Sequence, residues 1–173
     1  MDIDDFFDDI QNAIEESVIE CRNDVLFPAT VSLVGAMKQR IHNEGLDSNG
    51  QTLGTARGRT TYSPSYAIFK RKFRNFSRID LSLRDNLETS LKAGIINEGA
   101  GISMIDRGTG ATNNPPDRSG IPNKEKAFFL EEMFNTTIWE PTQEEEDTFY
   151  DDVDFLVTRK LSMALNRVRD LEI

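Results

Sequence analysis

The residues that could do chemistry in this 173-residue chain are few. His42 is the only histidine, so any nucleophilic arrangement with a serine or with Cys21 needs it as the base. It falls near a helix end, where surface placement or C-terminal capping accounts for it. Asp47-x-Asn49-Gly50 starts like a calcium loop. That loop needs a third oxygen ligand before its glycine and a Glu six residues beyond, where Ala56 stands. The stretch therefore reads as turn chemistry. GTARG and GTGAT lack the Lys-Ser/Thr of a phosphate loop. The many carboxylates could bind a divalent cation or act as an acid/base pair, but acidic runs on helix faces are ordinarily solvated. No catalytic residue, cofactor or metal is expected.

What the sequence does carry is separated charge. Between Asp47 and Asp80 there is no carboxylate, yet Arg57, Arg59, Lys70, Arg71, Lys72, Arg74 and Arg78 all fall there, in a chain of formal net charge -10. Basic residues interleaved with Tyr66, Phe69 and Phe73 suit phosphate contact and base stacking. At that spacing the aromatics are more often core, and the cations a solvated face. A sequence pI near 4.6 argues against general nucleic-acid binding by the whole chain. A small nucleic-acid-binding module using residues 57–78 remains the alternative reading. Asp4, Asp5 and Asp8, with Asp2 and Asp9, crowd the opposite pole, as a solvated acidic face or a dock for a basic partner.

The elements that would position these residues follow from periodicity. Ile3, Phe6, Phe7, Ile10, Ile14 and Val18 make the first segment an amphipathic helix, with Cys21 a small buried filler. Pro28 either kinks that helix or divides it in two. Gly45 can end it in a left-handed conformation. Ser63-Pro64 starts a short cationic helix to about Arg74. Ile79, Leu81 and Leu83 alternate with polar residues, which suggests a short strand or an extended approach to the next segment. A hairpin follows, with Ile95-Ile96 and Ile102–Ile105 as arms and Glu98–Gly101 as the turn. Residues 108–120 form a polar loop.

Asn123 caps a helix to Phe134, with Ala127, Phe128, Leu130 and Phe134 partly buried. An extended segment then carries Trp139, the only tryptophan. Thr142-x-x-Glu145 is a capping box that opens a long helix. Phe149, Val153, Leu156, Val157, Leu161, Ala164, Leu165 and Val168 are its apolar stripe. Its acidic start and basic end suit the helix dipole. One Cys excludes an internal disulfide, the N-terminus lacks a signal-peptide pattern, and no apolar run reaches the roughly 20 residues that span a bilayer. A cytosolic protein, or part of something assembled in a cytosol, is expected. It is read as one domain: a helical segment 1–44, a turn, basic helix and hairpin core 45–121, and a helical segment 122–173.

Four blocks in this order resemble a known family. They are Ile41-His42-Asn43-Glu44-Gly45-Leu46-Asp47-Ser48-Asn49-Gly50; Tyr62-Ser63-Pro64 with Lys70 and Lys72; Asp80-Leu81 through Leu87 and Ser90; and Ile121-Pro122 followed by Phe128-Phe129-Leu130. Over roughly residues 30 to 165 the chain is similar to phage virion-morphogenesis or tail-completion proteins. It departs from them in the TARGRTT insertion, in Arg84-Asp85 where the family has Thr-Gly, and in a longer 108–120 loop. The resemblance implies an α+β fold, with long N- and C-terminal helices packed on a small antiparallel sheet and extended loops. It also implies a structural virion protein at the head–tail junction, assembled in the host cytoplasm as a ring of roughly six or twelve copies. Portal or adaptor and other neck or tail proteins would be its partners, packaged DNA would lie close by, and no membrane would be involved. On that reading the candidate interface residues are Arg57, Arg59, Tyr62, Lys70, Arg71, Lys72, Arg74, Arg78, Asp4, Asp5, Asp8 and Trp139.

Overall fold

The computed structural model describes residues 11–12, 15–54, 63–65, 68, 79, 81, 86–96, 99–104 and 123–171. The fold is α+β: helices packed on a two-stranded antiparallel sheet. Helix α1 (Phe27–Lys38) lies between two wide π-turns, Arg22–Leu26 and Gln39–Glu44. Pro28 therefore neither breaks nor divides the helix. Leu26 and Phe27 keep helical dihedrals, and the wide turn just before Pro28 makes room for its ring against the preceding carbonyls. Gly45 ends the helix at φ 69° and ψ 41°, the left-handed geometry expected of it, with its N–H donated to the Arg40 carbonyl.

Helix α2 (Asn86–Ser90) leads into β1 (Leu91–Ile96), which pairs with β2 (Gly99–Met104) from Leu91↔Met104 to Ile96↔Gly99. The hairpin is where the sequence put it, but the arms are longer. Gly99, Ala100 and Gly101, expected in the turn, are strand residues because pairing runs on to Ile96↔Gly99. The short strand expected across Leu81 is not extended there, since Leu81 has φ 51°.

Helix α3 (Asn123–Phe134) starts at Asn123, and Ala127 and Phe134 are buried. Phe128, expected partly buried, is 59 % exposed: it stands about 100° round the helix from Ala127. The segment after α3 is irregular rather than extended, with Asn135 at φ 53° closing the helix. Helix α4 (Gln143–Leu171) has 29 residues, about 43 Å at 1.5 Å each.

Val34, Met37 and Ile41 recur on one face of the first helix and meet Leu53, Ile79, Leu91, Phe134 and Ile138 in the core. Burying each large aliphatic side chain contributes about 1.5–3 kcal/mol. This core lies toward one end of the long helices. On α4, Phe149, Val153 and Leu156 are half-buried, while Val157 and Leu161 of the expected stripe are exposed. Glu145 is the only fully buried side chain from Gln143 to Met163. At the other end of the chain, Val18 is 41 % exposed and Cys21 is exposed, not a buried filler. Among the described residues, neither Glu15–Cys21 nor Val157–Met163 carries a buried side chain.

Candidate functional site

The block Ile41–Gly50 is folded as a compact knot between the end of the first helix and the start of α4. Asp47 organises it from inside. Its Oδ1 accepts the Asn49 and Gln51 N–H groups, both at 2.9 Å, and its Oδ2 accepts the Thr136 hydroxyl at 2.7 Å. Backbone bonds Gly50 N–H to Asp47 O and Leu53 N–H to Gly45 O close the turn, and Leu46 pairs with Thr52. Asp47 is buried and fully occupied with backbone and hydroxyl donors, so it acts as turn architecture. A buried Asp accepting N–H groups two and four residues on is the side-chain form of a tight turn.

Arg40 ties this knot to the C-terminal half. Its Nε lies 2.9 Å from Glu145 Oε1, and its terminal nitrogens donate to the carbonyls of Leu46, Ile138 and Glu140. The side chains of Arg40 and Glu145 are only 7 % and 10 % exposed. Glu145 also closes the capping box, three residues after Thr142: its Oε2 accepts the Thr142 N–H at 2.8 Å, and Thr142 Oγ1 accepts the Glu145 N–H at 3.2 Å. One carboxylate thus caps α4 and holds the guanidinium that reaches three loop carbonyls. Ser48 adds a second stitch, donating N–H to Thr137 O and its hydroxyl to Glu140 O.

Beside this bracket lies an open groove of about 680 Å³, lined by Gln39, Arg40, Glu44, Ser48, Asn49 and Glu144 among others. Arg40 and Glu145 have their charges satisfied by each other beneath it, and neither is presented as a reacting group. His42 is buried with its ring 6.1 Å from that of Trp139. It is therefore a core residue of the helix end, not the surface residue that its position suggested. Cys21, the only cysteine, is exposed on the first helix. Among the described residues, no group of three histidine, cysteine or acidic side chains is placed to hold a metal ion.

Of the interface residues named from sequence, Arg57, Arg59, Tyr62, Lys70, Arg71, Lys72, Arg74, Arg78, Asp4, Asp5 and Asp8 lie outside the described residues. The start of the cationic helix is seen at Pro64 and Ser65, directly after Ser63, as the Ser-Pro pair predicts. Trp139 is half-buried. Its indole N–H donates to the Ala127 carbonyl at 3.2 Å, and Glu131 Oε1 accepts the backbone N–H groups of Ile138 and Trp139. Trp139 joins α3 to the segment before α4.

Sequence reasoning missed two features. One is the Arg40 bracket. The other is the set of large apolar side chains left outside: Phe128, Phe129 and Met133 on α3, and Tyr150, Phe155, Leu161 and Met163 on α4, each at least 48 % exposed. The doubled Phe128-Phe129 and the off-stripe Tyr150 and Phe155 were the available signals for the second. A run of adjacent aromatics cannot all face one side of a helix. No described helix is long and apolar enough to cross a membrane. No family model, curated protein or solved structure matches this chain.

Proposed function

We propose that this protein is a structural assembly subunit that forms a ring at the portal–tail junction of a tailed bacteriophage. The observation that carries the assembly reading is the exposure of Phe128, Phe129 and Met133 on α3 and of Tyr150, Phe155, Leu161 and Met163 on α4. Aromatic residues and methionine are the side chains enriched in protein–protein interfaces. The virion placement rests on the resemblance of the four sequence blocks. Two of its features have a structural counterpart: the first block is the Asp47-centred knot, and the hairpin follows the third. Separated charge supports ring closure, because an acidic edge on one copy can meet the cationic 57–78 segment of the next in a head-to-tail contact.

The purified protein, alone and mixed with the portal of the same particle, should give rings or a decorated portal by negative-stain microscopy and native mass measurement. A permanent monomer that ignores portal, adaptor and tail components would overturn the proposal. DNA binding at low salt that falls steeply with added salt, without any ring, would favour the nucleic-acid module instead.

A further inference from the structure

The N-terminal helical residues run past the folded body. Every residue from Glu15 to Cys21 is exposed, and the first buried side chain along the described part of this helix is Val25. The wide turn Arg22–Leu26 separates the exposed stretch from α1. Alongside lies the distal half of α4, where no described side chain from Val157 to Met163 is buried. Lys160 bridges the two. Its Nζ is 3.0 Å from Glu20 Oε2 and 2.9 Å from Asp24 Oδ2, and the three side chains are 36 %, 64 % and 61 % exposed. The bond to Asp24, then that to Glu20, holds the ammonium above the ordinary lysine range.

We propose that Lys160, Glu20 and Asp24 form an electrostatic latch that holds the N-terminal helix along α4, with the Arg22–Leu26 turn as the hinge on which that helix swings away when the latch opens. Three observations combine. The stretch Glu15–Cys21 has no buried side chain, and its apolar Val18 and Ile19 stay 41 % and 47 % exposed, so polar contacts carry a large share of its docked position. Exposed ion pairs are weak and are screened by salt, so docked and released positions lie close in free energy. One carboxylate sits on the arm and the other in the hinge itself. Glu20 belongs to the exposed arm and Asp24 to the wide turn, so losing the Glu20 contact frees the arm while Asp24 still anchors the turn to α4. Sharp changes of helix course are commonly sited at such wide turns.

The chain supplies its own probe. Cys21 is its only cysteine, is exposed, and follows Glu20 directly. A nitroxide there, with a second on Met163→Cys one turn from Lys160, reports the arm position by pulsed electron paramagnetic resonance on the full chain. At low salt a single narrow distance distribution is expected. In about 1 M NaCl, where screening shortens to roughly 3 Å, a second and longer population should appear. Lys160→Glu and Glu20→Gln should each raise that population several-fold at low salt. An unchanged narrow distribution in salt and in both variants would overturn the proposal. So would two populations in the parent protein that respond to none of these changes. The salt arm uses the parent side chains at the latch, so the test does not depend on either variant folding.

Discussion

Replacing Arg40 with methionine should be among the most damaging single changes in this protein. The guanidinium is 7 % exposed and satisfies Glu145 together with the carbonyls of Leu46, Ile138 and Glu140. Methionine fills much of the same volume but donates nothing. Glu145 would then sit 10 % exposed with only the Thr142 N–H on its carboxylate. Removing one partner of a buried ion pair costs about 3–5 kcal/mol, chiefly because the other charge stays buried and uncompensated. That is about a fifth or more of the roughly 5–15 kcal/mol typical of a domain. Urea unfolding followed by Trp139 fluorescence and by far-ultraviolet circular dichroism gives the loss as a fall in midpoint at unchanged slope. The second step separates the mechanisms. Glu145→Gln added to Arg40→Met removes the stranded charge while keeping an oxygen for the Thr142 N–H. The double variant should therefore regain about 1–2 kcal/mol over Arg40→Met alone. The reasoning fails if Arg40→Met costs under about 1 kcal/mol, or if adding Glu145→Gln only makes it worse.

Two further outcomes follow from side chains with named partners. Asp47→Ala strips acceptors from the Asn49 and Gln51 N–H groups and the Thr136 hydroxyl, and should cost about 3 kcal/mol; Asp47→Asn, which keeps an acceptor oxygen, should cost less, with the Asn49 and Gln51 amide shifts as the local readout. Lys38 is held below its ordinary value of 10.5 by burial, with Glu88 pulling it up and Lys92 pushing it further down. The folded state thus binds this proton less well than the unfolded chain does, so the penalty is present below the folded value and is relieved as pH climbs toward 10.5. Lys38→Met should raise the urea midpoint at neutral pH and flatten the rise between pH 7 and about 10. Lys160, shifted the other way, contributes stability that is lost only as pH climbs from its ordinary value through its raised folded one, so the two lysines act in separate windows.

Local rules made part of this fold legible. A glycine after a helical run predicts the left-handed end at Gly45, and a threonine three residues before a glutamate predicts the start of α4. Both depend on residues within a turn of each other. Arg40 was not legible for the opposite reason. Apart from the nearby Leu46 carbonyl, its partners are 98 to 105 residues away along the chain, and nothing local distinguishes a buried arginine from a solvated one. The hairpin was found but its turn was misplaced, since Gly99-Ala100-Gly101 reads as a turn on composition while pairing with Ile96, Ile95 and Gly94. Helical periodicity showed which faces of the long helices are apolar, but not how far the body reaches along them. Val18, Cys21, Val157 and Leu161 were therefore expected inside and stand exposed. Part of the candidate interface depends on that same missing length: Leu161, on the expected apolar stripe, stands exposed beyond the core.

The measurement closest to the proposed assembly role is the mass and shape of whatever this chain forms when it is mixed with a tailed-phage portal. Native mass spectrometry and negative-stain images of the reconstituted mixture should show a closed ring of copies seated on the portal. Replacing Phe128, Phe129 and Tyr150 with serine should leave a folded subunit that no longer assembles. Contradiction would be a chain that stays monomeric at every concentration and leaves the portal bare.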